Sequence, residues 1–267
     1  MNIAIIGGGA AGFFAALSAK KQFPKAKATI YEKSGKVLSK VKISGGGRCN
    51  VTHACFSNRE LAAFYPRGEN YLRKAFEQFN AQSTVEWFES RGVKLKTYPD
   101  NCIFPQSNDS QTIIDCFLKE AVDLGVEIKL NQSITSLDAE ANGFTLYTRD
   151  THYHADKIIV TTGGQPKRSG LEWLEKLGHE IIEPIPSLFT FNMPQNPIRE
   201  LMGNVVEKAT VKVEGTKLMG KGPLLVTHWG MSGPGILKLS AWGAMQLKEI
   251  NYQFKISINY LPNENED

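Results

Sequence analysis

The residues best suited to chemistry lie at the start of the chain, where an apolar run, Asn2–Ile6, opens directly into Gly7-x-Gly9-x-x-Gly12. At this spacing Gly7 permits a tight turn, Gly9 lets backbone approach a pyrophosphate, and Gly12 lets the following helix pack closely on the strand. A diphosphate placed there meets the unpaired N–H groups that open the helix, Ala10 and Ala11 among them, at the positive end of its dipole. A second apolar run, Ala28–Tyr31, ends in Glu32, twenty positions beyond Gly12. A carboxylate at that distance accepts hydrogen bonds from an adenosine ribose. Together these features predict a dinucleotide site rather than a βαβ unit without a ligand.

A second cluster follows in Ser44-Gly45-Gly46-Gly47-Arg48-Cys49-Asn50. Consecutive glycines expose backbone N–H groups to an anion or a flat ring, and Arg48 can neutralise a phosphate or a reduced flavin. Lys36, Lys40 and Lys42 add positive charge to the same loop. Cys49 reads either as a thiolate favoured by Arg48 or as a small buried residue that shapes the loop. His228, between Thr227 and Trp229, reads equally as a proton donor or as an interface histidine. Cys116 falls on the apolar face of a helix, and His152 and His154 alternate on a hairpin face.

These residues need elements to position them. Asn2–Ile6 and Ala28–Tyr31 are expected as buried parallel strands about a helix from Ala10 to Phe23. Lys33–Asn50 is expected as a long loop, followed by helices over Arg59–Tyr65, Tyr71–Phe79, Thr84–Arg91 and Gln111–Leu124. Short strands are expected at Val93–Thr97, Cys102–Phe104, Val126–Leu130, Ile134–Leu137, Phe144–Thr148 and Lys157–Thr162. The prolines at 184, 186, 194 and 197 mark a crossover. Beyond it, strands are expected at Val205–Val213, Lys217–Met219, Leu224–Thr227 and Tyr252–Asn259, and a helix at Gly235–Leu247. The fold class is therefore α/β, with a Rossmann-type domain over 1–186 and a β-rich second domain over 187–267.

Composition fits a globular protein of 267 residues, 42% hydrophobic and 22% charged, with a formal charge of +4. That charge is mild for nucleic-acid binding, and no interleaved basic–aromatic stripe stands out. No signal or membrane segment is evident, and four cysteines without metal-ligand spacing suit a reducing cytoplasm.

The order GGGAAG, Glu32-Lys33, SGGGRCNVTH resembles the HI0933-like (BaiN-like) flavoproteins, within the glutathione-reductase-type FAD fold. Asn101–Ser107 (NCIFPQS), Thr161–Gly164, Leu177-Gly178-His179 and Pro223–Pro234 (PLLVTHWGMSGP) continue the resemblance to about residue 262. It implies FAD rather than NAD, a partly barrel-like second domain, and an oxidoreductase acting on a small organic substrate, with NAD(P)H as a candidate electron donor. It carries cofactor contacts over to Gly7, Gly9, Ala10, Ala11, Gly12, Glu32, Lys33, Lys40, Ser44, Gly45, Gly46, Arg48, Cys49 and Asn50. Ile134, on the strand that fold relatives lay against adenine, and Thr162 and Gly163 complete that set. Two departures stand out. Gln165–Leu171 is shorter than the family's glycine-rich stretch, and the family's late "a-G-E-x-x-D" segment has no match, so the chain resembles a C-terminally truncated member. A catalytically impaired remnant and an RNA-acting flavoprotein are the rival readings; neither a metal, a membrane nor a nucleic-acid partner is expected.

Overall fold

The computed structural model describes residues 1–261. The chain divides into two compact units, Met1–Ile182 and a second that begins at Glu183. Pro262–Asp267, within the expected second domain, lie outside the described residues.

In chain order the first unit runs β1 (Asn2–Ile6), α1 (Ala10–Gln22), β2 (Lys27–Tyr31), α2 (Ser39–Ile43), β3 (Thr52–His53), α3 (Asn58–Ala63), α4 (Glu69–Phe76) and α5 (Ala81–Glu89). It continues through β4 (Leu95–Thr97), β5 (Cys102–Pro105), α6 (Gln111–Asp123), β6 (Glu127–Lys129), β7 (Ser136–Glu140), β8 (Gly143–Tyr147), β9 (His152–Ala155), β10 (Lys157–Val160) and α7 (Glu172–Glu175). Four strands form a parallel sheet in the order β10-β1-β2-β6. Both faces are buried, which is why β1 and β2 read as continuous apolar runs. Ile3, Ile5, Ala28 and Ile30 pack with Phe13 and Leu17 of α1 and Ile113 and Phe117 of α6. Ala4, Ile6 and Tyr31 point the other way, onto Leu137, Leu146 and Ala155 of the antiparallel β7-β8-β9 sheet. The result is three layers: helices, parallel sheet, antiparallel sheet.

The loop expected over Lys33–Asn50 is instead partly helical. Leu38 is 1% exposed and adopts φ +56, and its N–H donates to the Gly8 carbonyl at 2.8 Å, so α2 starts against the glycine turn. At α6 the helix start is held by Asp109, whose Oδ1 accepts from Gln111 N–H at 2.8 Å.

The second unit contains β11 (Phe191–Asn192), β12 (Val205–Val213), β13 (Met219–Thr227), β14 (Gly230–Ser232), α8 (Pro234–Glu249) and β15 (Ile256–Asn259). Its sheet is antiparallel throughout, in the order β11-β14-β13-β12-β15, with Ile236, Leu239 and Leu247 of α8 packed against Val211, Val213 and Leu224. The expected strand Leu224–Thr227 is the second half of β13, whereas of the strand expected over Lys217–Met219 only Met219 belongs to it, Lys217 and Leu218 lying in the turn before β13. Gly220, Gly222 and Pro223 look like breakers in the sequence, yet the strand uses them to let α8 approach. A Cβ on Gly220 would sit 2.2 Å from the Gly235 carbonyl oxygen. The strand expected over Tyr252–Asn259 shortens to β15, because Asn251 and Tyr252 adopt φ +51 and +56 and turn the chain. Among the described residues no helix is long and apolar enough to cross a membrane, and no cluster of three or more His, Cys, Asp or Glu is placed to hold a metal.

Candidate functional site

Glu32 is the fixed point of the site. β2 delivers it to the edge of the parallel sheet beside the glycine turn that leaves β1. Its carboxylate accepts Gly8 N–H on Oε2 at 2.8 Å, and Ser34 N–H and Oγ–H on Oε1 at 2.9 and 2.7 Å. Burial alone raises its pKa, but the bonds from Ser34 and Gly8, with Lys33 nearby, outweigh that and hold the carboxyl below the ordinary glutamate value. A carboxylate offers about four acceptor sites. Three are used within the protein, and Oε2 retains capacity for a ligand hydroxyl.

The fingerprint glycines are needed for different reasons. A Cβ on Gly12 would lie 1.9 Å from the Gly7 carbonyl oxygen, and one on Gly7, at φ +112, would lie 2.4 Å from the Thr161 carbonyl oxygen. The packing of α1 and the segment after β10 on β1 demands both. Gly9 differs: a Cβ there would meet nothing within 4 Å, and its φ of −87 is open to any residue. The fold does not require glycine at this position, whereas a ligand drawn onto the helix start would. No side chain caps α1. Its first helical bond runs from Phe13 N–H to the Gly9 carbonyl at 3.0 Å, so the N–H groups of Ala10, Ala11 and Gly12 precede the helical ladder. Ala10 and Ala11 are exposed.

A cleft of about 210 Å³ opens beside these groups, lined by Gly7, Glu32, Lys33, Ile134, Thr162 and Trp173 among others. It brings together five of the expected residues. Ile134 stands just before β7 rather than in a strand, half-buried against the Leu137 and Leu146 cluster. Trp173 of α7 is the residue the sequence did not flag. Its indole Nε1–H donates to the Gly170 carbonyl at 3.1 Å, which leaves the ring as a wall of the cleft. A larger cavity of about 960 Å³ lies within the second unit, between Phe189–Pro197 and Tyr252–Ile256. None of the expected site residues lines it, so size alone does not make it the site of chemistry.

The loop Ser44–Asn50 is a second concave backbone. Gly45, Gly46 and Gly47 take φ +54, +69 and +84, a left-handed run that side chains would resist. Cys49 N–H closes the turn on the Ser44 carbonyl at 3.0 Å, and Ser110 N–H donates to the Gly47 carbonyl at 2.9 Å. Ser110, fully buried, also donates its hydroxyl to the Lys42 carbonyl at 2.8 Å. It anchors the loop to α6. Arg48 is held over the Phe104 ring at 4.3 Å, with Nε donating to the Gly45 carbonyl at 3.3 Å. Cys49 is 7% exposed, and burial pushes its thiol up despite the Ser44 side chain. Burial and the closed turn fit the loop-shaping reading of Cys49 better than the thiolate reading. Asn50 is exposed, and a Cβ on Gly45 would crowd its N–H at 2.8 Å. The Lys40 ammonium reaches to 3.4 Å from where a Cβ on Gly163 would stand, so those two expected residues meet as well.

His228 lies in the second unit, at the two-residue tip of the β13–β14 hairpin. It is exposed, its ring is edge-on to Trp229 at 4.3 Å, and its carbonyl accepts Arg199 Nε–H at 2.6 Å. Cys116 is buried in the core, its thiol pushed up to about 11 by burial and by Glu120.

A parallel sheet between a helical and an antiparallel layer, with a glycine turn and an acidic residue at its edge, defines a Rossmann-type FAD-binding fold. The chain belongs to the HI0933-like family: residues 1–260 match the HI0933-like protein Rossmann domain. It is 25% identical over 98% of its length to a 3-dehydro-bile acid delta(4,6)-reductase from Clostridium scindens, covering 64% of that protein. It is 24% identical over 97% of its length to a ribosomal RNA dihydrouridine synthase from Escherichia coli, covering 66% of that protein. The chain thus spans slightly less than two thirds of these relatives. Among solved structures, a Thermovibrio ammonificans THI4 shares 13% identity at a TM-score of 0.44, over 67% of this chain and 63% of that one.

Proposed function

We propose that this chain binds FAD and acts as an oxidoreductase that saturates a carbon–carbon double bond conjugated to a carbonyl in a small organic molecule, with NAD(P)H as electron donor. When bound, the flavin supplies hydride transfer. The chain's own residues do the holding. Ionised Glu32, oriented by Gly8 and Ser34, takes a ribose hydroxyl through Oε2. The N–H groups of Ala10, Ala11 and Gly12 receive the diphosphate, with Gly9 leaving room for it. Lys33, Ile134, Thr162 and Trp173 enclose the adenosine side. The Gly45–Asn50 backbone, with Lys40 and Arg48, presents donors and positive charge to the ring side, where charge grows on reduction.

The observation that carries this reading is Gly9, a glycine that neither torsion nor packing requires, set at an uncapped helix start beside a carboxylate held ionised. The reaction class draws support from the two relatives, whose names both describe the addition of hydrogen across a carbon–carbon double bond. The test is direct. Ligand released by heat from the purified protein is expected to chromatograph with FAD, and recovery of NAD or FMN alone would overturn the reading. A second reading, the same chemistry on a uracil ring in RNA, is favoured by the Escherichia coli relative. NADPH consumption with a conjugated enone, set against that with uridine-rich RNA, separates the two.

A further inference from the structure

Beside Glu32 the cleft holds an amide that the binding of ribose and diphosphate leaves unused. Gln132 lines the cleft, and its N–H donates to the Glu32 carbonyl at 2.8 Å. The amide therefore springs from backbone bonded to the residue whose carboxylate faces the ribose. Its side-chain Oε1 accepts the Tyr153 hydroxyl at 2.9 Å. Tyr153 is itself held, its ring 4.8 Å from that of Tyr31 and the Lys129 ammonium 4.5 Å from its centre. Tyr153 does not line the cleft, so its bond fixes the amide without touching a ligand. With Oε1 taken in this way, the amide has only its N–H groups to offer, and Nε2 has no partner among the described residues. Gln165 also lines the cleft. Its amide makes no hydrogen bond among the described residues, so it can turn either end to a ligand and selects nothing.

We infer that Gln132 selects the base of the nucleotide bound at Glu32, taking adenine against guanine through a hydrogen bond from Nε2 to the ring nitrogen N3. At about 210 Å³ the cleft is smaller than sites that enclose a whole drug-sized molecule, so it admits one ring system, with Ile134 and the Trp173 indole as apolar walls. N3 is the ring acceptor nearest the ribose, and Gln132 is the cleft amide bonded to the residue that holds the ribose. Adenine presents N3 as a bare acceptor on that edge, whereas guanine adds its N2 amino group beside it. A donor fixed on the protein then meets a second donor, and in a half-buried site an unsatisfied donor is costly. Had Oε1 been left free in place of Nε2, the preference would reverse. The inference rests on the adenosine half of the cofactor reading; it gives base selectivity there to Gln132 and makes Tyr153 the positioning residue.

The test uses the whole chain after removal of any bound flavin, with ADP and GDP as probes in titration calorimetry. The wild-type protein is expected to bind ADP about tenfold or more tightly than GDP. Gln132→Glu keeps an acceptor for Tyr153 but turns an acceptor to the base, so the ADP-to-GDP preference should fall about tenfold or more. Its added negative charge weakens both diphosphates alike and cancels in that ratio. Tyr153→Phe leaves every cleft residue in place and frees the amide to turn, which should lower the same ratio about fivefold. A merely structural role for Gln132 would weaken both nucleotides and leave the ratio where it was. Equal binding of ADP and GDP by wild type, or an unchanged ratio in both variants, would overturn the inference, and the wild-type arm depends on no variant folding. If FAD is recovered from the purified protein and the ratio still does not move, the base assignment alone falls. If the chain binds neither FAD nor ADP, the cofactor reading falls and takes this inference with it.

Discussion

Glu32 concentrates the chemistry of the site at one carboxylate, and its role is measurable in two ways. Three protein donors fix it, so removing it costs a ligand bond and loosens the glycine turn at once. Charge-assisted hydrogen bonds contribute about 1.5–3 kcal/mol each, and Oε2 has capacity for one ribose hydroxyl; Glu32→Ala is therefore expected to raise the FAD dissociation constant about tenfold or more in a flavin-fluorescence titration. An unchanged constant would remove Glu32 from the site. The lowered carboxyl pKa also sets a pH dependence. A group more acidic in the folded state stabilises the fold fully above its ordinary value, and that stability is lost as pH falls through the lower folded value. Melting temperature should thus fall less steeply between neutral and acidic pH in Glu32→Gln than in wild type. Arg48 stands apart because its guanidinium lies over Phe104 and its Nε–H donates to the Gly45 carbonyl. If it faces the reduced ring, Arg48→Ala lowers the flavin midpoint potential; an unchanged potential assigns it to the loop alone.

At the scale of elements, α1 separates what glycine does for the fold from what it does for a ligand. Gly12→Ala drives a Cβ toward the Gly7 carbonyl oxygen, a backbone contact that cannot swing away, so the helix must lift from β1 and stability is expected to fall by about 1–3 kcal/mol or more in urea titration. Gly9→Ala meets open space and should change stability by less than about 1 kcal/mol, yet weaken FAD binding sharply. If both variants bind flavin like wild type, the cradle is not where the diphosphate sits. The sequence made β1, α1, β2 and Glu32 legible because the chemistry there is local: adjacent residues dictate the turn, the helix start and the edge position. It could not show that Leu38 ties α2 to Gly8, that Ser110 pins the Gly47 carbonyl, or that Trp173 walls the cleft. Each joins segments far apart in the chain, and only folding brings them together. β13 was obscured for the opposite reason. Its glycines and proline are local breakers, and their use in admitting α8 is a long-range fact.

At the scale of the whole molecule, every residue assigned to the adenosine and diphosphate half, and every residue of the ring-side loop, lies within Met1–Ile182. The parallel sheet has its own two-faced core there, and the second unit has a separate core built on α8 and the antiparallel sheet. From Ile181 to Ser187 the chain has no regular secondary structure, and Ile182 is 83% exposed. Segments with few buried contacts and exposed backbone are cut first by proteases. Limited proteolysis is therefore expected to cleave in this stretch before any strand of either core, releasing an N-terminal fragment ending near Ile182. Since that fragment keeps Gly9, Glu32 and the Gly45–Asn50 loop, it should retain FAD with a dissociation constant within a few fold of the intact chain's. Reduction of substrate is a separate readout, because the whole second unit is lost with the cleaved piece. A fragment that holds flavin yet no longer turns over would assign the second unit to the substrate. Complete loss of flavin on cleavage would mean that the second unit contributes to cofactor binding directly.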